Sequence, residues 1–243
     1  MRKKYRFAQK KGISLIENLV SMALFLFIIV GVLEVFSLSR DHFGEIKTSQ
    51  EAHTAACSAL DKIKTDLQQC GKGFSELLYP SIIEPLKSES NILTCRKVDM
   101  HISLENSLFA GQTRISLTST SDFKKGKELY FSDSVHGEIQ TISSVDDTSV
   151  SLSSPLINSY AVDGSELNLL NKISFYFDTN KKVLRRKVNS SPAQPLCEEI
   201  DAFECTYSPE NNLVNIRLSL TINPEKIYEI SVFPKNTALY VFR

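Results

Sequence analysis

A long apolar run near the start of the chain limits what the protein can fold into. From Ile13 to Leu38 the sequence is almost continuously apolar, with charged side chains only at Glu17 and Glu34. As an α-helix, 26 residues extend about 39 Å, which is more than the roughly 30 Å of hydrocarbon in a bilayer. The sequence therefore predicts one membrane-spanning helix, followed by a chain with no second spanning segment.

The charges around this run predict its orientation. Six of the 28 basic residues lie in the first twelve positions, which hold no acid. Because basic residues stay on the cytoplasmic side, we expect a single pass through the inner (cytoplasmic) membrane with the head outside the cytoplasm. Without those six residues, 22 basic and 28 acidic side chains remain, a net charge of −6. Such a head has no general attraction to nucleic acid, so we expect no nucleic-acid partner.

Ordinary single-pass anchors and secretory signal peptides also contain an apolar run near the N-terminus. A signal peptide has an apolar region of about 7–15 residues before a small-x-small cleavage site. The run here is longer, although Ser37-Leu38-Ser39 loosely matches such a site. Neither class of segment accounts for Glu17, because an acid inside a membrane span costs at least about 2.5 kcal/mol and therefore indicates a function.

The residues around Glu17 carry a resemblance to a known family. Lys10-Lys11-Gly12-Ile13-Ser14-Leu15-Ile16-Glu17 resembles the processing site of type IV prepilins and type II secretion pseudopilins. In that family a membrane peptidase cuts after the glycine, the new N-terminal residue is N-methylated, and a glutamate stands at the fifth mature position. The resemblance implies cleavage between Gly12 and Ile13, methylation of Ile13, and an assembly contact at Glu17. Ile13 departs from the more frequent phenylalanine but is also large and apolar.

The resemblance implies a structural role rather than an enzymatic one. The chain would be a minor pilin or pseudopilin, tip-proximal or initiating, in a type IV pilus or a type II secretion pseudopilus. Its partners would be other pilins or pseudopilins, the prepilin peptidase, the inner-membrane assembly platform and, before assembly, membrane lipid. The sequence lacks a Gly-rich phosphate loop, a nucleophile elbow and a zinc-protease motif, so we expect no enzyme, cofactor or metal. The alternative is a membrane-anchored extracytoplasmic binding protein or hydrolase that never polymerises.

A second pattern extends the predicted helix beyond the membrane. Apolar residues from Phe43 to Leu67 recur mostly at spacings of three, four and seven, which is typical of an amphipathic helix. Gly71 and Gly73 are expected to end it. We divide the chain into a cleaved leader (1–12), the transmembrane half (13–39) and amphipathic half (40–70) of helix 1, a connector (71–102), an inserted β-lobe (103–170) and a C-terminal antiparallel sheet (171–243).

The rest of the chain has the pattern of short strands. The segments 114–118, 128–131, 138–145 and 149–152 alternate and are rich in aliphatic and aromatic residues, and Asp146-Asp147 suggests a tight hairpin between two of them. The last third resembles the C-terminal sheet of J-type pseudopilins and PilW-type minor pilins. The predicted fold class is therefore α+β. A long pilin-like helix packs on an antiparallel head that carries a small inserted β-lobe.

Five cysteines occur without a Cys-x-x-Cys pair, which argues against a zinc ribbon or a redox motif. Cys70 and Cys95 are the best disulfide candidates because they flank the connector, and closing that loop would stabilise by about 3 kcal/mol. On one continuous helix, Cys57 would lie about 20 Å from Cys70 and could not pair with it. Cys197 and Cys205 would lie about 26 Å apart on a straight strand, although a bend between them would bring them closer.

Overall fold

The computed structural model describes residues 15–74, 84–89 and 91–237. Within these ranges the chain forms one α-helix, twelve β-strands and a short 3-10 turn. The predicted cleavage site at Gly12 and Ile13 lies outside the described residues. Contacts within the chain separate an N-terminal unit, which ends at Glu51, from a head that begins at Ala52.

Helix α1 runs from Leu15 to Gln68 and contributes residues to both units. No proline interrupts this stretch, so every residue after the first turn can donate its backbone N–H to the helix. The helix ends next to the glycines predicted to stop it. The Cys70 N–H bonds the Leu67 carbonyl at 3.0 Å, and Gly71 and Gly73 follow with φ angles of 76° and 85°. These angles lie in the left-handed region that glycine adopts without steric cost.

Nine strands form one antiparallel sheet. Their bounds are β1 Leu86–Glu89, β2 Ile92–Ile102, β3 Arg114–Ser116, β4 Glu128–Ser132, β5 Gly137–Val145, β6 Ser149–Leu152, β7 Glu166–Asp178, β8 Val183–Val188 and β9 Gln194–Cys197. The order is β1-β2-β7-β4-β5-β6-β3, and β8 pairs with both β7 and β9. Strand β7 has 13 residues, so one of its edges pairs with β2 and the other pairs first with β4 and then with β8.

A separate three-stranded antiparallel sheet holds β10 (Ile200–Ser208), β11 (Leu213–Leu220) and β12 (Asn223–Val232). A 3-10 turn at Pro209–Asn211 joins the first two strands, and Asn212 follows it with a φ of 46°. Asparagine tolerates this conformation better than most residues. The Asn212 side chain is buried, and both ends of its amide are hydrogen-bonded. Its Oδ1 accepts from the Tyr207 hydroxyl at 3.0 Å, and its Nδ2 donates to the Pro234 carbonyl at 2.9 Å.

The main core of the head joins the last turns of α1 to both sheets. The helix contributes five side chains that are at most 4% exposed: Ala56, Ala59, Leu60, Ile63 and Leu67. They recur at spacings of three and four, so they lie on one face of the helix. This face meets Phe175 and Leu184 of the large sheet and Phe203 and Ile216 of the small one within a single cluster. Full burial of a large aliphatic side chain is worth about 1.5–3 kcal/mol, so this face holds the helix end in the head.

A second core lies among β3 to β6 and the first half of β7, and includes Phe123, Phe131 and Ile142. Strand β2 reaches both cores because it contains a β-bulge between Val98 and Met100. Leu93 and Cys95, before the bulge, belong to the main core, whereas Met100 and Ile102, after it, pack against the second core. One extra residue in a strand exchanges the faces to which its side chains point.

The predicted α+β, pilin-like fold class is wrong. Among the described residues, one helix accompanies a head of twelve antiparallel strands in two sheets, which is a β-rich arrangement. The β-lobe predicted at 103–170 is continuous with the large sheet, because β4 pairs directly with β7. The single C-terminal sheet predicted at 171–243 is also wrong, since β7 to β9 belong to the large sheet and β10 to β12 to the small one.

The predicted connector at 71–102 is largely strand. It contains β1 and the whole of β2, which pairs with β7 from Ile92 to Ile102. Ser88 lies within β1 and pairs with Leu93, so the strands β1 and β2 form a hairpin here rather than a loop. Glu89 pairs with Ile92 across it, and Asn91 has a φ of 62°. Turn residues between two strands have the same composition as a loop, which is why the sequence pattern was misleading.

A buried carboxylate forms two ion pairs across three neighbouring strands of the large sheet. Glu128 of β4 accepts from Arg96 of β2 and from Lys172 of β7, each at 2.8 Å. Burial alone would raise the pKa of Glu128, but the hydrogen bonds from Arg96 and Lys172 outweigh it and lower the pKa. The carboxylate is therefore charged at neutral pH, and it ties together three neighbouring strands of the large sheet.

Candidate assembly site on the N-terminal helix

Helix α1 presents apolar side chains around its whole circumference from Leu15 to Leu38. Every residue in this stretch is exposed, and its large apolar side chains range from 37% exposed at Ile29 to 79% at Phe27. The helix is long and apolar enough to cross a membrane once. A helix that is apolar all round needs lipid or other apolar surfaces around it. This stretch of the described chain therefore requires a partner environment.

Glu17 lies in the first turn of α1 as described and is exposed among these apolar residues. None of the described residues forms an ion pair with its carboxylate. Its main-chain carbonyl accepts a hydrogen bond from the Ser21 hydroxyl at 2.8 Å. In an apolar environment a carboxylate needs a cation.

Two further positions break the apolar surface of the helix. Glu34 is exposed, as Glu17 is, and stands one helical turn after Gly31. No atom of the described chain lies within 4 Å of where a Cβ on Gly31 would be placed. Glycine in a helix costs up to about 1 kcal/mol relative to alanine, and this chain offers no packing reason for it there. A gap of this kind lets the backbone of a neighbouring helix approach closely.

Polar residues mark the end of the apolar stretch. From Arg40 onward the helix carries exposed ion pairs, including His42 with Glu45 at 3.5 Å and Lys47 with Glu51 at 3.9 Å. Exposed pairs of this kind contribute little to stability. They show where the surface changes from one suited to lipid to one suited to water.

The five cysteines all carry free thiols in this structure, and they fall into different environments. Cys57 is exposed, with its Sγ 3.9 Å from the ring nitrogens of His53. Cys70 and Cys95 are both buried and belong to the main core, as do Cys197 and Cys205. In the part of the chain that the structure describes, no group of three or more His, Cys, Asp or Glu side chains is arranged to hold a metal ion.

Three buried carboxylates that organise the head were missed by the sequence reasoning. These are Asp66, Glu128 and Glu138, each at most 9% exposed. Asp66 lies on the same helix face as Ile63 and Leu67, and this position within an apolar stripe is the signal that could have identified it. Glu138 lies at the start of a strand, where nothing in the local sequence separates a buried acid from an exposed one.

Glu138 anchors the segment that follows β6. Its carboxylate accepts from the backbone N–H groups of Ile157 and Asn158, each at 3.0 Å, from the Tyr160 hydroxyl at 3.1 Å and from Gln140 at 2.9 Å. Burial alone would raise the pKa of Glu138, but these hydrogen bonds outweigh it and lower the pKa. Burial, followed by the charge of Glu138, raises the pKa of Tyr160, so the phenol stays a donor.

Comparisons with known proteins assign no family to the chain. No protein-family model and no curated protein matches it. Two phage tailspikes are weakly similar in structure. Gp54 of Acinetobacter baumannii bacteriophage AP22, solved in complex with A. baumannii capsular saccharide, is 15% identical with a TM-score of 0.28 over 32% of this chain. Gp49 from Pseudomonas phage LKA1 is 22% identical with a TM-score of 0.26 over 30%. The match spans 15% of each tailspike, and similarity at this level supports no argument about fold or function.

Proposed function

We propose that this chain is a minor pilin or pseudopilin, a subunit that is processed at the membrane and joins a pilus or pseudopilus through helix α1. In this proposal the prepilin peptidase cuts between Gly12 and Ile13, and Ile13 is then N-methylated. The helix first resides in lipid and later packs against the helices of other pilin-type subunits, which an inner-membrane assembly platform adds to the filament. The subunit lies at or near the tip, or initiates assembly.

One combination of features carries the proposal. The motif Lys10–Glu17 runs into an apolar helix whose surface is exposed on all sides from Leu15 to Leu38. A plain membrane anchor accounts for the apolar surface but gives no reason for an acid at Glu17. A filament subunit accounts for both, because its helix leaves lipid for a bundle of similar helices, where a charged group has a specific partner.

The proposed partner of Glu17 is the N-terminal amine of an adjacent subunit. Cleavage after Gly12 creates a cationic amine at Ile13, at the start of an apolar segment. A buried charge of either sign is tolerated when it is paired, and removing one partner of a buried pair costs about 3–5 kcal/mol. Pairing between subunits would satisfy both charges and fix the axial register of the two helices.

Replacing Glu17 tests the assembly contact, and Glu34 supplies the matched control. Glu17→Val and Glu34→Val each remove one acid from the same exposed helix and make it more apolar, so both variants should insert and be cleaved. We expect Glu17→Val to lose co-purification with the pilin-type subunits of its host, and Glu34→Val to retain it. Equal co-purification of both variants with the wild type, with processing intact, would rule out the contact proposed for Glu17.

The mass of the mature chain tests the processing step independently. Chain extracted from membranes should begin at a methylated Ile13, and Gly12→Val should accumulate as the uncleaved precursor because a side chain blocks the scissile bond. A mature chain that starts at Arg40 would instead identify a secretory signal peptide. An unprocessed wild-type chain would identify an ordinary membrane anchor and contradict the proposal.

A further inference from the structure

Two of the five cysteines lie close together in the head, just beyond the end of helix α1. Cys70 lies just beyond the end of α1 and is 0% exposed, and Cys95 lies in β2 and is 1% exposed. The Cys95 thiol is 3.6 Å from the carbonyl oxygen of Asp66, in the last turn of the helix. The Cys70 thiol is 3.0 Å from the carbonyl oxygen of Pro85, just before the strand that pairs with Cys95.

Backbone hydrogen bonds hold the two segments side by side. The Gly71 N–H donates to the Arg96 carbonyl at 2.8 Å, and the Val98 N–H donates to the Lys72 carbonyl at 2.9 Å. Cys70 immediately precedes Gly71, and Cys95 immediately precedes Arg96, so both cysteines stand next to the first of these hydrogen bonds. These bonds place the two cysteines on adjoining backbone segments, and both side chains belong to the same buried cluster.

We propose that Cys70 and Cys95 form a structural disulfide in the exported head, which ties the end of helix α1 to strand β2. The bond forms by exchange with an oxidising disulfide outside the cytoplasm, such as that of a thiol oxidoreductase. One cysteine thiolate attacks this disulfide, and the second then displaces the attached sulfur. The protein gives up two electrons and two protons as its own S–S bond forms, and the oxidant is reduced to two thiols.

The order of events follows from burial. Both thiols are inaccessible once the head is folded, so the exchange takes place while the head is still closing. In the folded head, a hydrogen bond with Cys70 and then burial raise the pKa of Cys95 well above its usual value. A thiol still reduced when the head closes therefore stays protonated and reacts slowly. The finished disulfide is shielded from exchange by its burial, so the pair serves as a fixed crosslink and not as a redox-active site.

The other three cysteines are less suited to pairing. Cys57 is exposed on the helix beside His53. Cys197 lies at the end of β9, where its thiol contacts the Glu198 carbonyl, and Cys205 lies in β10 with its thiol 3.6 Å from the Ser88 hydroxyl. None of these contacts brings a second thiol close. The odd number of cysteines is thereby explained as one crosslinked pair and three free thiols.

The pairing can be tested on the full chain extracted from bacterial membranes in detergent. Free thiols are alkylated under denaturing conditions without reductant, and the digest is analysed by mass spectrometry. We expect a Cys70–Cys95 linked peptide that reduction separates, and alkylated Cys57. Recovery of Cys70 and Cys95 mainly as alkylated thiols, or joined to other cysteines, would overturn the proposal. This result does not depend on cleavage after Gly12 or on co-purification with other subunits, so failure of the proposed function would be recognised separately.

Thermal unfolding with and without reductant gives a second test. For a chain of this size, the loss of a crosslink that closes a loop of this length should lower Tm by about 6–12 °C. The Tm of the wild type and of Cys57→Ser should fall by this amount when reductant is added. The double variant Cys70→Ser/Cys95→Ser should show no response to reductant. A reductant response in the double variant equal to that of the wild type would place the crosslink elsewhere.

Discussion

The guanidinium of Arg186 lies 2.7 Å from Oδ2 of Asp66, so strand β8 is joined to the last turns of helix α1. Both side chains are at most 15% exposed, and they are 120 residues apart in the sequence. Lys62, one turn earlier on the helix, approaches the other carboxylate oxygen at 3.5 Å but is 47% exposed. The same carboxylate therefore has one buried cationic partner and one at the surface.

Arg186→Met should destabilise the head by about 3 kcal/mol, because it leaves the buried Asp66 carboxylate with only its surface partner. Lys62→Met is the matched control and should cost less than about 1 kcal/mol, since the pair that it removes is largely solvated. Denaturant unfolding of the full chain in detergent measures both. An equal loss of unfolding free energy in the two variants would contradict the prediction that the buried ion pair matters more than the exposed one.

Glu138→Gln should destabilise the head at pH 7 by about 1.5–3 kcal/mol, because it weakens hydrogen bonds that a charged acceptor now receives. The pKa of Glu138 is lowered in the folded chain from its ordinary value of about 4.5. Its contribution is therefore fully present above that value and is lost as the pH falls through the lower, folded-state pKa.

The pH dependence supplies the control for this prediction. The difference in Tm between the wild type and Glu138→Gln should be constant from pH 7 to about pH 5 and should shrink below about pH 4.5. Glu210→Gln alters an exposed acid in the 3-10 turn and should match the wild type at pH 7. A difference that grows as the pH falls would contradict the lowered pKa.

Gly126→Ala should be more damaging than Gly164→Ala, although both glycines have nearly the same φ, 83° and 84°. A side chain at either position is strained by the backbone, at about 1–2 kcal/mol. At Gly126 the added Cβ would also lie 2.4 Å from Cβ of Ser190, whereas nothing is within 4 Å at Gly164. Overpacking of this kind costs about 1–3 kcal/mol more.

Ser190→Gly offers a direct check of this clash. In that background, Gly126→Ala should cost about as much as Gly164→Ala does in the wild type, because the atoms that the new methyl group would meet are gone. Chemical unfolding of the four variants gives the comparison. If Gly126→Ala remains as costly without the Ser190 side chain, the cost comes from the backbone alone.

Gly31→Leu should reduce assembly if the proposed function is right, since it fills the gap through which a neighbouring helix would approach. Gly44→Leu is the matched control, because that glycine also lies in helix α1 with nothing within 4 Å, but in the polar part. Both changes favour the helix, so both variants should be made and processed normally. Co-purification with other pilin-type subunits measures the effect, and an equal result for both variants would argue against helix packing at Gly31.

Local features of the head could be predicted from the sequence. The strand segments that begin near Arg114, Glu128 and Ser149 are strands in the structure, and Asp146-Asp147 lies in the turn between β5 and β6. Helix α1 ends within three residues of Gly71. Each of these features depends on neighbouring residues, through alternation, turn chemistry or a helix stop, and such information is contained in a short stretch of sequence.

The arrangement of strands could not be predicted in the same way. Strand β2 pairs with β7, about 75 residues later in the chain, and the bulge at Asp99 interrupts the alternation that would identify its buried face. The change from the large to the small sheet occurs between β9 and β10, at Glu199, whose φ is 56°. Glutamate gives no sequence signal for such a turn. The proposed assembly contact differs, because Glu17 belongs to one contiguous sequence motif.

Strand β7 limits how far this protein can be shortened. Leu167 and Leu169 belong to the second core, while Ile173 and Phe175 on the same strand belong to the main core. A truncation that removed residues 103–165 would leave the first half of β7 without β4 and would expose two leucines that are now at most 1% accessible. A version of the head without residues 103–165 should therefore aggregate.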